Sequence, residues 1–210
     1  MIKILDLFAG LGGVAKGFQK YLDERGIEYE YVAVDIDPLV LKAHKCINPK
    51  STTIVRDAYS FSNDELKEYD FIWASPPCQS HSRANHIWKR YNPDMRLYDL
   101  IQQLRRVGKP FIVENVIPYY KPPIMPQYRI DRHFLWTNVS VPLFIERLPR
   151  KALDRMGIGE LCEFHGVDKA CLPKEWDSHT KRQALRNMVN WRLSYRIARW
   201  VFPYVLGVSA

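Results

Sequence analysis

A cysteine, a glutamate and a glycine-rich turn stand out because each follows a short apolar segment. Cys78 comes directly after two prolines in the run SPPCQ, which follows the apolar residues 71–74, so we expect its thiol on a rigid loop. Glu114 and Asn115 follow a second apolar run. A thiol and an acid–amide pair predict covalent addition to an electrophile that the carboxyl group binds. The turn GLGG at 10–13 predicts a backbone that closely approaches a nucleotide-like cofactor.

Cys78 is the strongest candidate nucleophile. A free cysteine is most often a small core residue, and that interpretation suits Cys46. It suits Cys78 poorly, because the residues that follow, QSHSR at 79–83, are polar. An unperturbed thiol has a pKa of about 8.5 and is only a few per cent thiolate at neutral pH. We expect Arg83 or a helix N-terminus to lower the pKa of Cys78.

The glycine-rich turn admits more than one cofactor. Gly10, Gly12 and Ala15 also satisfy the spacing of a dinucleotide-binding turn, with Asp35 about 20 residues further on to bind a ribose. Taken alone, the turn could bind NAD, bind a methyl donor or be only a tight turn. Asp35 and Asp57 each end a predicted strand, and either could instead cap that strand end.

Composition sets broad limits on function. At 210 residues the chain is long enough for one sizeable core. It has no apolar run near the roughly 18–20 residues of a membrane span and no signal peptide, so we expect a cytoplasmic protein without membrane contact. The net charge of +8 favours an anionic partner.

The four cysteines include no C-x-x-C pair, so a disulfide framework is not expected. Cys162, His165, Cys171 and His179 have a spacing that is not that of a common zinc finger, and no metal site is predicted.

The order of apolar runs and turns indicates how the chemical groups are positioned. Strands and helices alternate over the first two thirds of the chain, which predicts a Rossmann-like, doubly wound α/β sheet in a single domain spanning 1–210. In the last third, 150–176 is expected to be irregular and 181–201 to be one long basic, aromatic-rich helix. The predicted strands are 2–8, 31–34, 52–55, 71–74, 111–113 and 134–137, and the predicted helices are 14–21, 38–46 and 97–107.

Three blocks, in this order, resemble the cytosine-5 DNA methyltransferases. They are the glycine-rich turn with Phe8, the run Pro77-Cys78-Gln79, and Glu114-Asn115-Val116, with acids at Asp35 and Asp57 between the first two. The resemblance implies the fold of the S-adenosylmethionine-dependent methyltransferases and methyl transfer to carbon 5 of cytosine. It also implies that Asp35 binds the ribose of S-adenosylmethionine and that Asp57 lies beside the adenine amino group.

The same resemblance implies the rest of the cofactor site. Asn187 lies in the run RNMV at 186–189, which resembles the family's Gly-Asn-Ser-Val block, and would touch the methyl donor; an ordinary capped helix would also explain this run. The implied cofactor-binding residues are Phe8, Gly10, Gly12, Gly13, Asp35, Ile36, Asp57, Ala58, Pro76, Leu97 and Asn187.

The resemblance also assigns the chemical roles. Cys78 adds to carbon 6 of the base, which turns the ring into an enamine that can take the methyl group. Glu114 contacts ring nitrogen 3 and the exocyclic amine. Asn115 orders the cysteine loop by hydrogen bonds, and Pro77 and Gln79 belong to the same catalytic loop.

An arginine normally supports the oxygen of the base in this family. Here the block QYRIDR at 127–132 departs from the family pattern, because Ile130 stands where one arginine is expected. Arg132 is the first candidate for this role and Arg129 the second.

The main departure from the family lies in the target-recognition domain, which is absent or reduced to about 139–153. DNA is the expected partner, with the target cytosine flipped out of the duplex and a short or loose sequence preference. The loop 81–95 and the C-terminal helix are the candidate DNA contacts, and a homodimer or an accessory partner could supply specificity. The small size suggests a phage or mobile-element origin in a bacterial or archaeal host.

Two further activities stay open. Cytosine-5 methylation of RNA would use the same residues. Amino-group (N4 or N6) methylation of DNA is suggested by Ser75-Pro76-Pro77, but Cys78 stands where that motif needs an aromatic residue. A non-catalytic nucleic-acid-binding module is disfavoured by the presence of both Cys78 and Glu114.

Overall fold

The computed structural model describes residues 1–88, 91–141 and 153–207, with the side chains of Asn85, Trp88 and Asp154 excepted. Its strands are β1 Ile2–Leu7, β2 Tyr29–Asp35, β3 Thr52–Val55, β4 Phe71–Ala74, β5 Phe111–Val116, β6 Tyr128–Ile130 and β7 His133–Thr137. Its α-helices are α1 Gly13–Asp23, α2 Pro38–Ile47, α3 Asn63–Lys67, α4 Arg83–Trp88, α5 Arg96–Val107, α6 Ile158–His165, α7 Ser178–Asn187 and α8 Trp191–Leu206.

The described strands form one sheet in the order β3-β2-β1-β4-β5-β7-β6. The first five strands in this order are parallel, whereas β7 runs antiparallel to both β5 and β6. The carboxyl ends of the parallel strands therefore meet at one edge, which is where ligands bind in open sheets of this kind. The glycine-rich turn and Cys78 lie at this edge in the segments that follow β1 and β4, and Glu114 and Asn115 lie near the carboxyl end of β5.

Helices cover both faces of the sheet. Alternate residues of each strand point to opposite faces, so the buried side chains of the strands divide into two clusters. On one face α1 and α8 pack with Phe18 and Phe202 in edge-to-face contact at a centroid distance of 5.1 Å. On the other face α5 contributes Leu100, Ile101 and Leu104. This arrangement matches the predicted doubly wound α/β sheet.

The last third of the chain is more regular than the sequence suggested. The segment 150–176 was expected to be irregular, but it contains α6. The single helix expected over 181–201 is wrong, because α7 ends at Asn187 and α8 begins at Trp191. Asn190 separates them: its side chain accepts a hydrogen bond from the Arg192 amide at 2.9 Å and so starts a new helix.

A disulfide bond joins Cys46 on α2 to Cys171, which corrects two expectations. Disulfide bonding was not expected, and Cys46 was interpreted as a core residue, yet its side chain is exposed. The two cysteines are 125 residues apart, and only the folded chain brings them together. Because Cys171 is oxidised, it is not available as a metal ligand, and no group of three or more metal-ligating side chains occurs within the described ranges.

Two further findings concern the sequence expectations directly. Within the ranges given above, no helix is both long and apolar enough to span a bilayer. The recognition domain was expected to be absent or reduced to about 139–153, and most of this segment, residues 142–152, lies outside the described residues. Lys89 and Arg90 of the loop 81–95 also lie outside them.

Candidate active site at the carboxyl edge of the sheet

Cys78 lies on a loop that is fixed to the sheet edge at several points. The Ser75 amide donates to the carbonyl of Leu7 at 3.1 Å, and the Ser75 hydroxyl accepts from the Trp73 indole at 2.7 Å. The His81 amide donates to the carbonyl of Cys78 itself at 3.1 Å. These bonds and the two preceding prolines hold the Cys78 backbone in one position. Within this loop Pro76 is buried, while Pro77 and Gln79 are exposed.

Asn115 links the Cys78 loop to the neighbouring strand. Its side chain is buried, and its amide nitrogen donates to the carbonyl of Pro76 at 2.9 Å. Its amide oxygen accepts from the Val116 backbone at 2.9 Å, so the side chain cannot rotate without losing both bonds. The hydrogen bond predicted between Asn115 and the cysteine loop is therefore present.

The thiol of Cys78 is not activated in this structure, which corrects the expectation of a lowered pKa. Burial and the negative charge of Glu114 raise the pKa of Cys78 to about 11. Arg83, the residue expected to lower this pKa, is exposed at the start of α4. The resting form of Cys78 at neutral pH is therefore the thiol.

Glu114 is paired with a histidine that sequence reasoning missed. Glu114 is only 6% exposed, and the Nδ1 nitrogen of His133 forms a hydrogen bond with its Oε1 oxygen. Burial alone would lower the pKa of His133, but the charge of Glu114 and this hydrogen bond raise the pKa overall. A clue to His133 was its position at the start of the strand that follows the arginine block.

The two candidate arginines lie elsewhere. Arg132 is exposed and precedes β7 by one residue, and Arg129 is exposed in β6. Arg132 lies in the turn that joins β6 to β7, whereas His133 is the first residue of β7. The structure thus places His133 rather than either arginine against Glu114.

The loop after Cys78 packs on an aromatic group between β5 and β6. His81 is buried, and its Nδ1 nitrogen shares a hydrogen bond of 2.6 Å with the hydroxyl of Tyr120. Tyr120 in turn accepts from Tyr98 on α5 at 3.2 Å. Further along, His86 stacks on Tyr119 with ring centroids 4.7 Å apart. These contacts support the loop that carries Cys78.

The glycine-rich turn follows β1 and adopts backbone conformations that favour glycine. Gly10 and Gly12 have φ values of 53° and 84°. A Cβ atom on Gly12 would lie 2.1 Å from the side-chain nitrogen of Asn48, whereas a Cβ atom on Gly10 would meet no atom within 4 Å. Asp35 accepts hydrogen bonds from the amides of Gly10 at 3.0 Å and Asp37 at 3.1 Å. The turn and the end of β2 are thereby tied together.

Helix α2 supports the same turn through polar side chains that sequence reasoning missed. His44 is fully buried, with its Nδ1 nitrogen 3.1 Å from the carbonyl of Gly10 and its Nε2 nitrogen 3.1 Å from the hydroxyl of Ser51. Burial lowers the pKa of His44 to about 4, so the ring is neutral. Because a carbonyl only accepts, Nδ1 carries the hydrogen and Nε2 accepts from Ser51, which itself accepts from Gln19 at 2.8 Å.

The C-terminal segment covers the turn from the other side. A Cβ atom on Gly13 would lie 1.9 Å from the carbonyl oxygen of Val189, so these two backbones touch. The Ser194 hydroxyl on α8 donates to the carbonyl of Gly13 at 3.0 Å. Asn187, the last residue of α7, is exposed next to this contact. The run 186–189 therefore lies beside the glycine-rich turn.

The remaining predicted cofactor residues fall into exposed and buried groups. Ile36 is 70% exposed directly after Asp35, which is unusual for an apolar side chain beside a sheet edge. Asp57 caps the short 3₁₀ helix Ala58–Ser60 that follows β3, accepting from the Tyr59 amide at 3.0 Å. Phe8 contacts the ring of Tyr59 at 4.8 Å. Ala58 and Leu97 are buried in the cluster that also contains α5.

Known proteins resemble this chain in sequence. The family model of the C-5 cytosine-specific DNA methylases matches residues 2–117, more than half of the 210 residues. Type II methyltransferase M.XorII of Xanthomonas oryzae is 34% identical over 125 residues, covering 53% of this chain and 27% of M.XorII. M.FnuDI of Fusobacterium nucleatum is 33% identical over 117 residues, covering 55% of this chain and 32% of M.FnuDI. The chain thus spans about a third or less of these relatives.

Solved structures resemble it over nearly its whole length. Entamoeba histolytica methyltransferase EhMeth superposes with a TM-score of 0.64 at 14% identity and covers 98% of this chain and 99% of that one. A mutant of Spodoptera frugiperda DNMT2 has a TM-score of 0.63 at 15% identity and covers 96% and 100%. At such low identity these likenesses establish the fold and confirm its Rossmann-like class. The segment matched by the family model contains the glycine-rich turn, Cys78 and Glu114, and the chain belongs to the C-5 cytosine-specific DNA methylase family.

Proposed function

We propose that this protein transfers a methyl group from S-adenosylmethionine to carbon 5 of cytosine in DNA, with Cys78 as covalent nucleophile. The observation that carries the proposal is the placement of Cys78 after β4 and of Glu114 near the carboxyl end of β5, the parallel strand that pairs with β4. Asn115 joins their two segments by its hydrogen bond to Pro76. The glycine-rich turn follows β1, which pairs with β4 on the other side.

The residues at the end of β1 and β2 suit an adenosine-containing cofactor. Space is open beside Gly10, the Asp35 carboxylate lies at the same turn, and Ile36 offers an exposed apolar side chain for a purine ring. Gly13, held against Val189, and Asn187 would close the far side. Bound there, S-adenosylmethionine supplies an electrophilic methyl group on its sulfonium sulfur.

Cys78 performs the covalent step. Its thiolate forms a bond to carbon 6 of cytosine, and the electron pair of the 5,6 double bond becomes available at carbon 5 for the methyl group. A base, with water as the simplest candidate, then removes the proton from carbon 5. The carbon 6–sulfur bond breaks, and the thiolate of Cys78 is released. The methyl group would thus replace the carbon-5 proton of the base, with neutral S-adenosylhomocysteine as the leaving group, and the released proton would balance the charge lost from the sulfonium.

Glu114 binds the edge of the base that becomes electron-rich during the addition. Its buried carboxyl group lies beside Cys78, close enough for its charge to influence the thiol. The Glu114 carboxyl group would accept a hydrogen bond from the exocyclic amine. Its contact with ring nitrogen 3 would draw electrons from the ring as sulfur adds once the carboxyl group carries a proton to donate there. The thiol itself must lose its proton after the base is bound, because the raised pKa leaves about one thiolate in ten thousand at neutral pH.

DNA is the proposed partner, since the net charge of +8 favours a polyanion. The side chains of Arg83 and Ile87 on α4, and of Tyr91 beyond it, are exposed after Cys78 in the chain, where a flipped base would enter. A short or loose sequence preference, supplied in part by a homodimer or an accessory partner, belongs to the same proposal.

A trapping assay with 5-fluorocytosine tests this function. Fluorine at carbon 5 cannot leave as the proton does, so the carbon 6–sulfur bond cannot be broken. Wild-type protein with S-adenosylmethionine and substituted duplex DNA should therefore form a stable covalent complex. The Cys78→Ala variant should form none while binding S-adenosylmethionine as wild type does. Cys162→Ala, which removes the other free thiol within the described ranges, should still form it. An adduct that forms on RNA and not on DNA would show that RNA is the substrate. The absence of an adduct on any substrate would reject the covalent mechanism.

A further inference from the structure

We propose that His133 is the base-binding cation of this site: its Nδ1 nitrogen holds Glu114, and its Nε2 nitrogen donates to the carbonyl oxygen of the target cytosine. This inference rests on the proposed function, because it assigns a residue to the base-binding step. It gives His133 the role for which Arg132 was the candidate.

The sheet register places His133 on the correct side of Glu114. In the antiparallel pairing of β5 with β7, His133 lies opposite Val116, two residues from Glu114. Side chains two residues apart on a strand share a face, and diagonal neighbours across a strand pair are within reach of a ring. The hydrogen bond between His133 and Glu114 follows directly from this register.

The hydrogen bond also fixes the orientation of the imidazole ring. A carboxylate only accepts, so Nδ1 carries a hydrogen toward Glu114. The remaining nitrogen, Nε2, donates only when the ring is protonated, and accepts when the ring is neutral. A side chain that is 40% exposed leaves the ring accessible to a ligand at the sheet edge. Donation to a base carbonyl therefore requires the imidazolium form.

The charges around His133 favour that form. Glu114 on β5 faces it and stabilises the positive charge, while Asp131 in the preceding turn adds a smaller favourable effect. Burial of the ring and the positive charge of Arg132 both oppose protonation of His133. Cys78, on the loop after β4, is a neutral thiol at rest and adds no charge. The balance raises the pKa of His133, so the ring holds its proton to a higher pH than a free histidine.

This placement has a defined chemical use. When sulfur adds to carbon 6, negative charge develops on the ring nitrogen and on the carbonyl oxygen of the base. A cation whose hydrogen bond already points at that oxygen stabilises the charge without reorganisation. His133 keeps its proton throughout, so no bond to it forms or breaks. A histidine in this role makes activation of the base depend on pH, because the imidazolium loses its proton in a range where an arginine would stay charged.

Kinetics of three variants test the proposal. His133→Gln should lower kcat by about 100-fold, the typical effect of losing one such donor. His133→Arg should keep most of the activity and shift the alkaline limb of the kcat profile to higher pH, because guanidinium does not titrate there. Arg132→Gln is the matched control. Its kcat should stay within about threefold of the wild-type value, and any larger effect should fall on KM for DNA. A large loss in Arg132→Gln with a small one in His133→Gln would overturn the assignment.

A second measurement separates this proposal from the proposed function. The midpoint of the His133 ring titration, followed by NMR in the free protein, should fall when Glu114 is changed to Gln. If wild type forms no adduct with 5-fluorocytosine DNA but the midpoint falls, the ion pair is real and the function is wrong. If adducts form and the midpoint is unchanged in Glu114→Gln, the His133 proposal fails and the function stands.

Discussion

The protonation state of Cys78, the proposed nucleophile, is set by its immediate neighbours. Cys78 is half-buried beside the Glu114 carboxylate, and both burial and that charge keep the proton on sulfur. This arrangement protects the thiol from oxidation and stray alkylation, since the thiolate is the reactive species. It also means that activation has to come from the bound substrate and from a cation such as His133 rather than from the free protein.

Alkylation kinetics can test the influence of Glu114 on Cys78. In a Cys162→Ala background, iodoacetamide should modify wild-type Cys78 slowly at pH 8, with a rate that increases toward pH 11. Glu114→Gln removes the negative charge and should lower the pKa of Cys78, which speeds alkylation at pH 8 severalfold, by roughly 3–10-fold for a shift of 0.5–1 unit. Identical rate–pH curves for the two proteins would show that Glu114 does not influence the thiol.

At the scale of secondary-structure elements, two helices hold the glycine-rich turn from opposite sides. Helix α2 binds it through His44, which is hydrogen-bonded to Ser51 and through it to Gln19 of α1, and α8 binds it through Ser194. This chain of hydrogen bonds requires a neutral His44, because a protonated ring could no longer accept from Ser51. The cofactor turn is therefore sensitive both to acid and to any added atom on the α8 side.

Acid should destabilise the protein through His44. The pKa of His44 is lowered by burial to about 4 in the folded state against about 6.5 when unfolded, so the unfolded state binds more protons between these values. The contribution of neutral His44 to the free energy of unfolding is fully present above pH 6.5 and is lost as the pH falls toward 4. When the pH is lowered from 7 to 4.5, the free energy of unfolding of wild type should fall by about 2–3 kcal/mol more than that of His44→Gln. Urea unfolding of both proteins at both pH values measures this difference.

The comparison with His44→Gln isolates this residue from other buried groups. Asp6, whose pKa burial raises to about 7, changes stability in the opposite direction over the same range, but it is present in both proteins. Equal pH dependence in wild type and His44→Gln would contradict the assignment of a neutral, buried imidazole.

A methyl group on the α8 side of the turn should be poorly tolerated. In Gly13→Ala the new Cβ atom would lie 1.9 Å from the carbonyl oxygen of Val189, which is backbone and has little freedom to move. We expect a loss of at least about 2 kcal/mol, or roughly 4–8 °C in Tm. Affinity for S-adenosylmethionine should also fall, because the turn must shift.

Gly159→Ala is the control for this substitution. Gly159 lies in α6, where a Cβ atom would meet nothing within 4 Å, and alanine favours a helix over glycine by about 0.5–1 kcal/mol. This variant should be unchanged or slightly more stable. If Gly13→Ala and Gly159→Ala behaved alike in thermal unfolding, the close contact with Val189 would be disproved.

At the scale of the whole molecule, the sheet brings together residues that the sequence keeps apart. Cys78, Glu114 and the glycine-rich turn were predictable because each carries a local signal and parallel strand ends share an edge. His133 was not, since its meeting with Glu114 depends on the antiparallel register of β5 and β7. The break between α7 and α8 was hidden for a related reason, because one side-chain cap at Asn190 outweighs helical periodicity. The pKa of Cys78 depends on burial, which only the fold defines.

The disulfide between Cys46 and Cys171 should add to the stability of the whole chain. Closing a loop of 125 residues reduces the entropy of the unfolded state by an amount worth as much as about 5 kcal/mol. Reduction of wild type, or the double change Cys46→Ser with Cys171→Ser, should lower the urea midpoint, and a reductant should have no further effect on the double variant. Unchanged unfolding of wild type under reducing conditions would show that the bond contributes nothing.

The same bond changes what a protease can separate. Because Cys46 and Cys171 are covalently joined, a single cut anywhere between them leaves one molecule, in which an N-terminal fragment with the cofactor turn stays attached to a C-terminal fragment with α8. Such a nicked protein would migrate as one species on a non-reducing gel and as two after reduction. The helices α1 and α8 would still be able to pack together, so a cut in an exposed loop between the two cysteines would keep the link between the two ends of the fold.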